Sequence, residues 1–97
     1  MTWRGHLARD LRGTMHAPGS LSVPLWAERQ TDGAINIGCR TDHGDFDGHV
    51  TAARDRWVLV GETGARVSGP VRWDGACFVL GDADVVDVPA ELRLPGD

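Results

Sequence analysis

The sequence predicts a mainly β domain, a small barrel or sandwich of six to seven short antiparallel strands with a short N-terminal helix. Three observations lead there. From Leu21 onward the apolar period becomes strand-like, with Leu21, Val23, Leu25 and Ala27 at every second position. Turn-forming residues recur at roughly ten-residue spacing, which suits all-β architectures rather than βαβ units. Ahead of Leu21 the apolar spacing is four residues, which fits one face of a helix. A length of 97 residues is room for a single core, so residues 1–97 are read as one domain, with a helix over 2–13 and a β domain over 21–94.

The helix rests on Thr2 as N-cap, on Trp3, Leu7 and Leu11 at i, i+4 and i+8, and on Gly13 as the C′ residue. So short a helix is marginal alone. Its Trp3, Leu7 and Leu11 face is expected to dock on the chain's own sheet or on a neighbouring subunit. Pro18-Gly19 reads as a turn. Leu21, Val23, Leu25 and Ala27 then alternate with Ser22, Pro24, Trp26 and Glu28. Pro24 has no amide proton for a ladder, which points to an edge strand or a bulge. Thr31-Asp32-Gly33 turns the chain, and Ile35, Ile37 and Cys39 share a face, so residues 21–41 read as a hairpin.

Residues 42–48 read as a polar loop, and residues 57–60 as a buried strand holding Trp57. Glu62-Thr63-Gly64 leads into a strand over 66–73. Asp74-Gly75 is a strong hairpin signal ahead of residues 76–80, and the 81–84 turn leads to a strand over 85–88. Leu92 and Leu94 lie in a last segment bracketed by Pro89 and Pro95.

Composition narrows the function classes. All ten basic residues are arginine, a bias that GC-rich genomes tend to encode. It excludes Schiff-base and P-loop lysine chemistry. The net charge of −4 argues against a sequence-independent nucleic-acid binder, which normally needs a basic patch. The charge is uneven: Arg4, Arg9, Arg12 and Arg29 stand near the N-terminus, while Asp82, Asp84, Asp87, Glu91 and Asp97 crowd the other end. Residues 1–10 contain no apolar signal-peptide segment, and no apolar run approaches the roughly 20 residues of a membrane-spanning helix. A cytoplasmic or virion location follows as the expectation, with Cys39 and Cys77 as buried thiols.

The densest chemistry-bearing stretch is residues 42–49, where His43, Asp45, Asp47 and His49 alternate and would project to one side of an extended chain. Imidazole with carboxylate suits Zn²⁺, Mn²⁺ or Fe²⁺, and Asp-rich loops suit Ca²⁺. The flanking Gly44 and Gly48 equally fit a solvated turn whose aspartates bond the local backbone. The EF-hand pattern fails, because Arg54 stands where its final Glu belongs. There is no nucleophile elbow around Ser20, Ser22 or Ser68, and no glycine-rich phosphate loop. Of the four tryptophans, Trp57 belongs to the core, Trp73 suits a cross-strand aromatic pair, and Trp3 and Trp26 are candidate interface anchors.

The order of elements resembles the small head–tail joining proteins of tailed bacteriophages. The resemblance rests on the helix at 3–12, the hairpin at 21–41 ending in Arg40-Thr41-Asp42, and the late hairpin over 71–80. It implies a compact β-barrel with a leading helix that forms oligomeric rings in the virion neck. That reading makes the protein a non-enzymatic assembly module with protein partners, Trp3, Leu7, Leu11 and Trp26 at its interfaces, no direct nucleic-acid readout and no membrane. The alternative is a small ligand- or metal-binding protein, or a metal-dependent enzyme, centred on His43, Asp45, Asp47 and His49.

Overall fold

From Arg4 to Asp87 every regular element is a strand. A computed structural model describes residues 2–19, 22–42 and 44–87. The strands are β1 (Arg4–Ala8), β2 (Arg12–His16), β3 (Ser22–Arg29), β4 (Ile35–Thr41), β5 (Gly44–Val50), β6 (Arg56–Gly61), β7 (Arg66–Trp73), β8 (Cys77–Leu80) and β9 (Val85–Asp87). Each of β1 to β7 pairs antiparallel with the next, and β8 pairs with β1. The result is a closed, eight-stranded up-and-down barrel.

The extra strand, β9, continues β8 along the same edge of β7. Val71 pairs with Leu80 and Ser68 with Val85, so residues 81–84 bulge out of the ladder between them. Arg56 clamps the bulge: its two terminal nitrogens lie 2.7 Å from the two Asp84 oxygens, and one also donates to Ser68 Oγ at 2.8 Å.

The expected helix over 2–13 is absent. Residues 4–16 form the β1–β2 hairpin, with Leu7 opposite Gly13 and Gly5 opposite Met15. A spacing of four satisfies a two-residue strand period as well as a helical one, so Trp3 and Leu7 face inward in either geometry. What decides between them is Leu11, which adopts φ 67° in the hairpin turn with its amide donating to Ala8 O at 3.0 Å. Gly5 and Gly13 have a packing role: a Cβ on either would run into a carbonyl of the facing strand, Thr14 O or His6 O. The strand count among the described residues is also higher than expected, partly because residues 44–50 are strand rather than loop.

Inside, Trp57, Leu7, Met15, Ile35, Ile37 and Leu59 are fully buried, which makes the barrel a packed core rather than a channel. Trp57 keeps its polar edge satisfied by donating Nε1–H to Gly81 O at 2.9 Å. Away from the first hairpin turn, Trp3 packs on Phe46 with ring centroids 4.9 Å apart. Cys39 is buried, Cys77 only half-buried, and both are free thiols. The expected segment with Leu92 and Leu94 lies outside the described residues.

Candidate binding mouth

An up-and-down meander sends every second connection to the same end. Here the β1–β2, β3–β4, β5–β6 and β7–β8 connections share one end, and residues within or flanking each of them line one mouth. The cavity, about 470 Å³, is bounded by Arg9, Arg29, Ile35, Arg54, Trp73 and Phe78.

Strand register puts most of these side chains there. On β3 the inward positions run Val23, Leu25, Ala27 and then Arg29, which pairs with Ile35. On β7 they run Val67, Gly69, Val71 and then Trp73, which pairs with Phe78. Arg9 follows Leu7 by two. Each therefore points along the barrel interior but lies past the packed core. Arg54 arrives differently, from a turn in which it holds φ 60°. Its Nη1 donates to Gly33 O at 2.6 Å and Thr51 O at 3.1 Å, tying two mouth turns together.

The cations and rings of the mouth are organised as pairs. Trp73 and Phe78 meet edge to face at 4.9 Å. Arg9 Cζ lies 5.0 Å from the Trp73 centroid, and Arg54 Cζ lies 5.9 Å from that of Phe78, both within cation–π range. The nearby carboxylates are engaged elsewhere. Asp10 pairs with Arg12 at 3.7 Å, Asp32 accepts the Ala34 amide at 2.9 Å, and Asp55 accepts the Thr51 hydroxyl. Asp74 accepts the Ala76 and Cys77 amides at 2.8 Å each, and these bonds hold its carboxyl below the usual range. Arg9, Arg29 and Arg54 stand in no ion pair among the described residues. The lining of the cavity thus holds three arginines and no carboxylate.

The residues singled out from sequence are placed as follows. Asp45, Asp47 and His49 do share the outward face of β5. His43 lies outside the described residues. Asp45 accepts from Arg40 Nε at 2.9 Å, and no three His, Cys, Asp or Glu side chains are grouped as a metal set among the described residues. Trp3 and Leu7 sit in the chain's own core, Leu11 packs partly against it, and Trp26 is 52% exposed. The Trp73 pairing across the hairpin is present.

Sequence reasoning missed the mouth altogether. Its signal was an inward-register position occupied by Arg29 or Trp73 at a strand end, which becomes informative only once the barrel closes. No protein-family model, curated protein or solved structure matches the chain.

Proposed function

We propose that the protein is a non-enzymatic binding barrel whose mouth takes a small organic anion, a carboxylate, sulfonate or phosphate head on an apolar body. One observation carries the proposal: three guanidinium groups without carboxylate partners surround an aromatic cup at the end of a closed barrel. Guanidinium forks match carboxylate and phosphate oxygens. Stacking Arg9 and Arg54 on aromatic rings reduces the ordering entropy that such contacts otherwise demand. Ile35 gives the apolar body a floor. The assembly reading drew on a helix with an unpartnered face. The Trp3 and Leu7 of that face find their partners inside the barrel, so the mouth supplies the stronger argument.

The test is a fluorescence titration with 1-anilinonaphthalene-8-sulfonate on protein that unfolds cooperatively. The dye is expected to bind at one site, to be displaced by dodecanoate, and to resist dodecyltrimethylammonium. Arg29→Ala should weaken the dye about tenfold, the loss of roughly one charge-assisted contact. Equal displacement by the cationic amphiphile would overturn the reading.

A further inference from the structure

The β3–β4 ladder stops short. It runs from Arg29–Ile35 to Trp26–Gly38 and no further, although β3 extends back to Ser22 and β4 on to Thr41. The next outward pair would set Pro24, which has no amide proton, opposite Arg40. The ladder ends before that pair, and a cleft of about 410 Å³ is bounded there by Pro24, Trp26, Cys39, Arg40, Asp45, Phe46 and Asp47.

Trp26 stands at the closed end of this cleft. Its indole lies against Gly38, so close that a Cβ there would overlap the ring. The backbone thus holds the indole on one side, while half of the side chain remains open to solvent. The rim holds both kinds of hydrogen-bonding group. Arg40 is fixed through Nε to Asp45, and Asp47, paired in register with Gly38, is an exposed acceptor beside the indole.

We infer that this cleft is a second binding site, for a neutral saccharide. A pyranose ring has an apolar face of C–H groups and an edge of vicinal hydroxyls. Trp26 and Pro24 match the face, and the carboxylate and guanidinium match the edge. Two carboxylates against one guanidinium disfavour the anions that suit the mouth. The unpaired length of β4 ends almost at once in the turn after Thr41, too short to seat a peptide strand by main-chain pairing. The cavity falls within the roughly 300–1,000 Å³ of small-molecule sites.

Affinity electrophoresis under native conditions, in gels containing hydroxyethyl cellulose or glycogen, tests this. The protein should be retarded by at least one glucan. Trp26→Ala should weaken that interaction about tenfold or more, and Asp47→Ala, at an exposed position with no packing role, should weaken it measurably with the fold intact. Migration unchanged by both glucans would overturn the inference. So would equal retardation of wild type and Trp26→Ala, or quenching of Trp26 by tetramethylammonium but by neither glucan, which would make the cleft a cation site.

Discussion

The guanidinium of Arg9 lies 5.0 Å from the ring centroid of Trp73, across the barrel mouth from the β3–β4 turn. The pair sits at the surface, so the contact itself adds only about 0.5–1 kcal/mol. Its main effect is to orient the Arg9 cation. Arg9→Ala is therefore expected to change the stability of the free protein by less than about 1 kcal/mol and to weaken the mouth for 1-anilinonaphthalene-8-sulfonate about tenfold. Urea denaturation and dye titration of the same variant separate the two effects.

Gly38 and Gly48 both face tight neighbours, but of different kinds. A Cβ at Gly38 meets the Trp26 indole, whereas one at Gly48 meets the main chain of Val58 and Leu59. The exposed indole can swing away and the β5–β6 ladder cannot. Gly38→Ala should therefore cost about 1 kcal/mol and red-shift tryptophan emission as Trp26 enters water, while Gly48→Ala should cost about 3 kcal/mol. Denaturation midpoints give the ordering, and a reversed order would contradict the packing described.

Burial, reinforced by the Asp47 and Asp45 carboxylates, pushes the Cys39 thiol from 9.0 up to about 11. Between those values the unfolded chain releases the thiol proton and the folded chain retains it. The stability linked to Cys39 is thus fully present below pH 9 and is lost as pH rises through about 11. Cys39→Ala should flatten this alkaline decline, with the raised Cys77 thiol leaving a residual slope. Urea midpoints across that pH range check it.

At the acid end, the hydrogen bond from Arg56 lowers the Asp84 carboxyl below its ordinary range. The clamp's contribution is present above the ordinary carboxylate pKa and is lost as pH falls through the lower folded value. Wild type should lose its margin over Asp84→Asn in that acid window, measured by thermal melts at falling pH. Hydrogen exchange should show the 81–84 bulge and β9 opening first, because Asp84 and Ser68 anchor them through Arg56.

Local chemistry wrote the later hairpins plainly into the chain. Asp74-Gly75 turns β7 into β8, with Gly75 at φ 98°, and Thr31-Asp32-Gly33 turns β3 into β4. The first hairpin was not legible, because a four-residue apolar spacing is a multiple of both periods and no Asn-Gly or Asp-Gly pair marks the turn at Leu11. The 44–50 strand was obscured by Asp45, Asp47 and Gly48, although Phe46 and Val50 keep its inward register. Pro24 led to the expectation of an edge strand or a bulge, yet β3 pairs with both β2 and β4 within the closed barrel, and the ladder to β4 ends before the proline. The mouth could not be read, since strand-end residues Arg29, Ile35, Trp73 and Phe78 meet Arg9 and Arg54 there only through closure.

Whether the mouth receives an organic anion is decided by chemical-shift mapping with dodecanoate on isotopically labelled protein. Saturable shifts are expected at the side-chain N–H groups of Arg9, Arg29, Arg54 and Trp73 and at the amides of the four mouth turns. Shifts absent from those groups at saturating dodecanoate, or concentrated instead around Trp26 on the outer wall, would contradict anion binding at the mouth.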